Sequence, residues 1–403
     1  MSIETKTSAH EETFGKITDE AVASVKAKTG VRLRAEGPFV QDVTVDTIRT
    51  FCNGIGDLNP LYRDVEHGRL SQYGSVLAHP MFPMACAWIG RARWGLPGVH
   101  SFLGGNDWEL FRNLKPGDRL NVIERVVGVE EKSSEFSGRL VLQYMQAEFS
   151  NQRDELVCRV LGWSTRHERK AARDKRKYKP AEPYAYSPEE FSEIEAAIHA
   201  ESDNIRGQEP RYWEDVAIGE ELTPIVRGPL SASDTIGFLV ACGRGQTHGL
   251  MAKVASKHPG HFIKDQKTQR AEYTMNIHHR PTVATQSGAP GVIDFGAQRC
   301  AWLATLVTNW MGNAGVLKRI KTELRLPNVL DDTTWCKGKV TNKYVEDGHA
   351  LVELEIWAES QRGQASAPNG KAVVILPSRA ISSRICRNGS SIDLGHACYP
   401  LKK

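Results

Sequence analysis

Two pairs of residues along this chain share one spacing, and one pair is suited to proton transfer. Eighteen positions separate His278 from Gly296, and the same number separates Tyr62 from Pro80. Histidine titrates near neutral pH, so it can act as a general acid or base. A glycine N–H at a helix start can stabilise negative charge on a substrate, whereas proline has no N–H to donate. The equal spacing predicts two related segments with different chemical abilities.

The segment FCNGIGDLNPLYRD, residues 51–64, resembles the GDxNPxHxD signature of the MaoC-like enoyl-CoA hydratases and dehydratases. Tyr62 stands where the family has its catalytic histidine. The matching residues are Asp57, Asn59, Pro60 and Asp64.

A second motif of that family, a His-Gly pair that begins a long helix, is similar to the stretch LAHPMF. His79 is kept, but Pro80 replaces the glycine whose N–H forms the family's oxyanion hole. The resemblance therefore implies that the first half is not catalytic. Its motif residues are interpreted as a substrate-binding or vestigial site, namely Asp57, Asn59, Tyr62 and His79. For Asp57 and Asn59, an Asx turn is an equally good interpretation.

By the same resemblance, His278 takes the place of the catalytic histidine and Gly296 that of the oxyanion glycine. The family's aspartate lies five residues before its histidine, and that position here is Tyr273. Glu272 and Asp294 are the nearest carboxylates in sequence, and Asp294 is chosen as the third catalytic residue. The adjacent His279 is an alternative to His278.

The reaction implied by the resemblance is hydration of a 2-enoyl-CoA thioester or dehydration of a 3-hydroxyacyl-CoA thioester by a hydro-lyase. It requires a base to activate water at Cβ, an acid to protonate Cα, and a donor for the charge on the thioester oxygen. No metal or redox cofactor is implied, because coenzyme A is part of the substrate. An acyl-CoA thioesterase and a non-catalytic acyl-CoA-binding subunit are the alternatives.

The hydrophobic pattern around these motifs predicts an α+β fold, and the resemblance implies two tandem hotdog domains that form a pseudo-dimer. Segments 78–90 and 294–312 are long enough to be central helices. Each is followed by strand-like runs, of which 350–357 alternates most clearly. The remaining strand predictions are 115–129, 139–149, 155–163, 333–345 and 371–379, with hairpin turns at 128–138 and 346–349.

The chain divides at a charged segment between two halves of similar plan. We expect hotdog domains at 30–165 and 210–385, joined by a linker and a short helix at 166–209. The basic run 166–179 favours a solvated linker over a site for an acidic partner. Ser187 followed by proline predicts the start of the linker helix.

Composition narrows the class of protein further. The chain has 403 residues, with 52 basic and 48 acidic side chains, a balance that does not favour nucleic acid as a partner. Its polar first thirty residues and the lack of a long apolar run favour a cytoplasmic protein without a membrane span. Eight cysteines without a CxxC pair are predicted to be reduced and mostly buried. Assembly into a homo-oligomer would be ordinary for such folds.

Several side chains near the motifs have two interpretations. Arg299 either meets a phosphate of coenzyme A or pairs with a carboxylate. The tryptophans of the two central segments are predicted to pack in the helix core rather than to contact ligand; these are Trp88, Trp302 and Trp310.

Overall fold

The computed structural model of the chain contains one large antiparallel sheet and a smaller hairpin, with helices packed against them. It describes residues 15–35, 38–88, 94–134, 138–168, 180–245, 247–265 and 268–381. Within these residues the strands are β1 (Leu33–Arg34), β2 (His100–Leu110), β3 (Asn121–Ser134), β4 (Gly138–Ser150), β5 (Leu156–His167), β6 (Ile225–Arg227), β7 (Phe262–Lys264), β8 (Ala271–Tyr273), β9 (Val316–Glu323), β10 (Thr334–Glu346), β11 (His349–Ser360) and β12 (Ala365–Leu376).

The helices lie mainly in the segments between the strand groups. Over the described residues they are α1 (Asp19–Lys26), α2 (Val45–Ile55), α3 (Pro60–Arg63), α4 (Val65–Leu70), α5 (Pro83–Cys86), α6 (Pro188–Asn204), α7 (Ala232–Ala241), α8 (His248–Lys257), α9 (Pro281–Gln286) and α10 (Gly296–Met311). None of these described helices combines the length and the apolar character that crossing a membrane requires.

The ten-stranded sheet consists of two half-sheets joined at their edges. Its strand order is β1-β3-β4-β5-β2-β9-β12-β11-β10-β6. The halves meet where β2 pairs with β9, from Gly105 opposite Glu323 to Glu109 opposite Arg319. This arrangement confirms the expected α+β class and places strands of the two halves side by side.

Helix α10 is the central helix of the second half, as the sequence predicts. Every residue from Gln298 to Met311 is buried. Such complete burial is typical of a helix enclosed on all sides, and α10 contacts β9, β10, β11 and β12 as well as α2. Because α2 belongs to the first half, α10 packs against both halves.

The long helix expected at 78–90 does not form. The described helix there is only α5, and Ala87 is already extended with φ −150°. A proline is tolerated in the first turn of a helix, which suits Pro83 as the first residue of α5. Pro80 and Pro83 cannot both lie inside one continuous helix, because each removes a backbone donor. The remainder of the segment, 89–93, lies outside the described residues.

The strands predicted from alternation are present, and two central strands were missed. Strand β11 buries its alternating residues as expected, and Asp347 and Gly348 form the turn before it, with φ 51° and 75°. The segment 128–138 is mostly strand rather than turn, because β3 continues to Ser134 and β4 begins at Gly138. The missed strands are β2 and β9, which hold the halves together.

Residues just outside the expected bounds of the first domain also pack within the first half. Ile17, Val22 and Val25 already pack in a hydrophobic cluster of the first half, before residue 30. Arg166 lies in β5, is buried, and donates to Gln143 Oε1 at 2.6 Å. The basic run thus begins within the sheet, and its residues 169–179 lie outside the described ones. The linker helix is confirmed as α6, with Ser187 as its cap.

The cysteines in the described part of the chain agree with the prediction of reduced, buried thiols. They are Cys52, Cys86, Cys158, Cys242, Cys300 and Cys336, all free and buried.

Helices α2 and α7 are equivalent in the two halves and cross at a glycine. Each begins with a capping box, on Thr44 and Ser231 respectively. A Cβ placed on Gly54 would lie 2.4 Å from the Cβ of Ala241 and 3.1 Å from the carbonyl oxygen of Gly237. This crossing therefore requires a residue without a side chain.

We expect Gly54→Ala to destabilise the protein by about 1–3 kcal/mol, because the added methyl overpacks the crossing. Chemical denaturation measures this change in the free energy of unfolding. Gly237→Ala is the matched control, since a Cβ there meets no atom within 4 Å. If the two variants unfold alike, the close crossing of α2 and α7 is wrong.

Candidate active site

The motif residues of the first half form a sealed polar cluster. His79 Nδ1 accepts from the backbone N–H of Met81 at 3.1 Å, so the ring proton resides on Nε2. That nitrogen faces Asp57 Oδ2 at 3.5 Å and Thr305 Oγ1 at 3.3 Å. Thr305 in turn donates to Asp57 Oδ2 at 3.0 Å. The hydroxyl of α10 thus completes the hydrogen bonding of a buried pair from the first half.

The other first-half motif residues make hydrogen bonds within the loop that connects α2 to α3. Asp57 Oδ1 accepts from Asn59 N–H at 2.7 Å, and Asn59 Oδ1 accepts from Leu61 N–H at 3.0 Å. These are the Asx-type contacts that the sequence allowed. Tyr62 is buried and packs edge-on against the His79 ring at 5.4 Å.

The environment of this cluster does not suit substrate chemistry. Burial lowers the pKa of His79 to about 3, and burial raises the pKa of Asp57. The cavity beside Tyr62, His79 and Pro80 has a volume of about 40 Å³. Ligand sites typically occupy roughly 300–1,000 Å³, so an acyl chain does not fit here.

The second half places His278 at the end of a 3₁₀ turn, Thr274–His278. Its Nδ1 lies 2.9 Å from the carbonyl oxygen of Ile293, which can only accept, so Nδ1 carries the proton. Nε2 is then the basic nitrogen. The ring stacks on Phe295 at 3.6 Å, and burial lowers the pKa of His278 to about 4. His278 is therefore neutral at physiological pH and able to accept a proton.

A large cavity lies beside His278, at the seam between the halves. Its volume is about 530 Å³, within the typical range for ligand sites. The second half contributes His278, Gly296 and Tyr273, while β2 contributes wall residues from the first half. The aromatic side chains that line the cavity are Trp88, Phe102, Trp108, Tyr273 and Phe295. His279 is not among the lining residues. Trp88 is half-buried, packs against the core and also lines the cavity, whereas Trp302 and Trp310 are buried as expected.

Gly296 is the first residue of α10 and also lines this cavity. The first N–H groups of a helix have no acceptor within the helix, and that of Gly296 has none elsewhere in the described part of the chain. A Cβ at Gly296 would lie 2.5 Å from Leu324 Cδ1. Glycine therefore fits a crowded helix start whose N–H is available to a ligand.

Asp294, expected to assist His278, is instead held by Arg299. Arg299 donates to both carboxylate oxygens, at 2.6 and 2.8 Å, and both residues are buried. Asn328 donates to the same carboxylate through N–H and Nδ2, at 3.1 and 3.2 Å. These contacts occupy the Asp294 carboxylate. Of the two interpretations of Arg299, they support pairing with a carboxylate rather than contact with a coenzyme A phosphate.

Glu272 is likewise engaged away from His278. It accepts from Asn276 Nδ2 at 2.7 Å and from Arg280 at 3.1 Å. Tyr273, at the position of the family's aspartate, does line the cavity. Within the described residues, His278 therefore has no carboxylate hydrogen-bond partner, and its ring is oriented by a backbone carbonyl.

The sequence analysis also missed an extra segment in the second half. Val45 and Tyr62 are 17 positions apart, whereas Ser233 and His278, their equivalents, are 45 apart. The additional 28 positions fall within residues 244–273, which we call the insertion. It contains α8 and the β7–β8 hairpin, and it supplies cavity residues. Comparing the two spacings would have revealed it.

Comparison with known proteins supports the resemblance seen in the sequence. Residues 27–160 match the family described as "FAS1-like, dehydratase domain region". A stretch of 58 residues is 42% identical to a "UPF0336 protein" of Thermobifida fusca (strain YX); it covers 14% of this chain and only 38% of that relative's length.

Solved structures with the same fold cover most of the chain. A MaoC-like dehydratase is 16% identical, covers 88% of this chain and 100% of its own, and gives a TM-score of 0.63. A putative MaoC domain dehydratase from Chloroflexus aurantiacus J-10-fl is 12% identical; the match covers 87% of this chain and 96% of that one, with a TM-score of 0.57. A conserved hypothetical protein of Mycobacterium tuberculosis with a double hotdog fold is 12% identical; the match covers 86% of this chain and 96% of that one, with a TM-score of 0.55. The expected double hotdog fold is confirmed.

Replacing Thr305 by valine should destabilise the protein by about 1–3 kcal/mol, because the buried Asp57 carboxylate and His79 lose their shared hydroxyl. Denaturant titration provides the measurement. Thr305→Ser retains the hydroxyl and should recover most of the loss. Equal stability of Thr305→Val and the unaltered protein would contradict the role assigned to this contact.

Proposed function

Starting from a fused double-hotdog chain that resembles the MaoC-like dehydratases, we propose that the second-half cavity hydrates 2-enoyl thioesters or dehydrates 3-hydroxyacyl thioesters. The observation that carries the proposal is that a neutral histidine and a helix-start N–H line one cavity of about 530 Å³. The equivalent position in the first half has a cavity of only about 40 Å³. The substrate would therefore bind in the second half, at the seam with β2.

In the proposed mechanism, His278 is both base and acid. Nε2 takes a proton from water as the water oxygen bonds to Cβ of the enoyl group. The electrons of the carbon–carbon double bond move toward the thioester, and the Gly296 N–H donates to the resulting enolate oxygen. The imidazolium then returns its proton to Cα, which restores neutral His278. Dehydration follows the same steps in reverse, and no metal or redox cofactor is required.

A single histidine is the assignment that the carboxylate contacts favour. Asp294 and Glu272 are each paired with an arginine, so neither is assigned a proton-transfer step. The carbonyl of Ile293 fixes the tautomer instead, which is the orienting task that a carboxylate often performs beside a catalytic histidine.

The same contacts favour one alternative function. Without a carboxylate beside His278, and with Tyr273 at the family's aspartate position, the cavity would also suit a subunit that binds acyl thioesters without converting them. Such a protein would bind coenzyme A thioesters but turn none over. The two functions are therefore separated by measuring binding and turnover on the same preparation.

Replacing His278 by alanine should lower hydration of 2-enoyl-CoA by about 10²- to 10⁴-fold, the usual contribution of a positioned acid or base. Loss of the enoyl absorbance across a panel of chain lengths measures the rate. His279→Ala is the matched control and should remain close to the unaltered protein.

Three outcomes would redirect the assignment. A larger loss of hydration rate in His279→Ala than in His278→Ala would assign the acid–base role to His279. Release of free thiol from saturated acyl-CoA would indicate a thioesterase. Binding without turnover on any ester would support the binding-subunit function.

The pH profile should distinguish His278 from an exposed histidine. Burial favours the neutral ring and lowers the pKa of His278 to about 4, so the base stays available as the pH falls below the ordinary histidine value of about 6.5. The acidic limb of kcat/KM is therefore expected near pH 4, with circular dichroism at each pH as a control for unfolding. A limb near pH 6.5 in folded protein would show that another group controls the rate.

A further inference from the structure

The insertion carries a concentration of positive charge. Residues 244–273 contain six lysines and arginines against two acidic residues. Their net charge of +4 equals that of the whole chain, so the other residues together are balanced. Three histidines lie in the same segment. The first-half motif has no equivalent insertion, so this charge accompanies only the half with the large cavity.

The insertion leaves its three described lysines exposed and buries its two acidic residues. Asp265 and Glu272 are both buried, and their carboxylates accept hydrogen bonds from Thr268 and Asn276 respectively. The exposed lysines are Lys253, Lys257 and Lys264. Within the described residues none of these three has an ion-pair partner.

The insertion forms part of the cavity wall. Helix α8, which carries Lys253 and Lys257, packs against the turn Pro259–His261 and against β8. His261 in that turn and Tyr273 at the end of β8 both line the cavity. Lys264 lies at the end of β7, directly opposite Ala271 of β8. The three lysines therefore belong to the structural unit that forms one wall.

A further cation lies on another wall of the cavity. Arg325 follows β9, lines the cavity, and is exposed. Its guanidinium has no ion-pair partner within the described part of the chain. Arginine binds phosphate oxygens in pairs, and lysine contributes a compact positive charge. Exposed cations are thus present in two separate segments that each contribute to the wall of a cavity with an aromatic interior.

We propose that Lys253, Lys257 and Lys264 of the insertion, together with Arg325, bind the phosphate groups of the thioester carrier, with the nucleotide end of coenzyme A as the ligand. This inference rests on the proposed function for the identity of the acyl end, which the aromatic interior would enclose. A coenzyme A thioester is anionic at one end and apolar at the other, which matches this arrangement. Its diphosphate and ribose phosphate supply several negative charges to the lysines and Arg325.

The test compares carriers with and without the nucleotide. In one variant, Lys253, Lys257, Lys264 and Arg325 are all replaced by glutamine. We expect KM for 2-enoyl-CoA to rise by about five- to twentyfold with little change in kcat, since only carrier binding is weakened. The KM for the corresponding enoyl-pantetheine, which has no phosphate, should stay the same. Added salt should weaken coenzyme A binding more in the unaltered protein than in the variant.

A matched control carries the same kind of change away from the cavity. Lys16 and Lys371 are exposed, Lys28 is half-buried, and none of the three lines the cavity, so their replacement by glutamine should leave both KM values unchanged. Calorimetry with adenosine 3′,5′-bisphosphate and with coenzyme A measures binding independently of turnover.

The outcomes separate this inference from the proposed reaction. Loss of coenzyme A binding in the quadruple variant supports the inference even if no ester is turned over. Equal effects on coenzyme A and pantetheine esters, or equal loss in the control, would overturn it. Unchanged binding in the quadruple variant would also overturn it. A preference for a phosphopantetheinyl carrier protein over coenzyme A would place the charge on a protein partner and reject the nucleotide.

Discussion

The burial of α10 from Gln298 to Met311 is the constraint on which both halves depend. A buried helix must satisfy its polar side chains internally, because an unpaired buried group costs about 1–3 kcal/mol. The Gln298 Nε2 group meets this requirement by donating to the carbonyl oxygens of Gly54 and Asp234, which ties α10 to α2 and α7. Arg299 does so through Asp294, and Thr305 through Asp57. One helix therefore starts with an N–H that has no acceptor in the described part of the chain, and it supplies hydrogen bonds to the opposite half along its length.

The two halves use a common plan for different purposes. In the first half, Pro80 removes the backbone donor and Thr305 closes hydrogen bonds around Asp57 and His79, leaving a cavity of about 40 Å³. In the second half, the ring of His278 is held by a carbonyl and faces a cavity of about 530 Å³. The closed half provides β2 as a wall for the open one. The first half thus contributes to the structure of the cavity in the second half.

The local sequence predicts helices and strands correctly where buried residues recur at a regular period. The strand β11 and the helix α10 were anticipated, since each displays a clear apolar pattern. The central strands β2 and β9 were missed because polar Asn106 and Thr322, which are buried and hydrogen-bonded to each other, interrupt their apolar pattern. The helix at 78–90 was overestimated because its apolar composition outweighed its prolines in the prediction.

The sequence by itself determined the pairing of motifs, since the spacing of eighteen residues and the exchange of glycine for proline are properties of the chain. It also determined the α+β class, through the periods of its apolar residues. Only the tertiary structure decided that Asp294 pairs with Arg299 and that Thr305 seals a cluster 248 positions away. The volumes of the two cavities also depend on the tertiary structure. Ion pairing and enclosed space depend on side chains that folding brings together from distant segments, and a linear pattern carries no record of those distances.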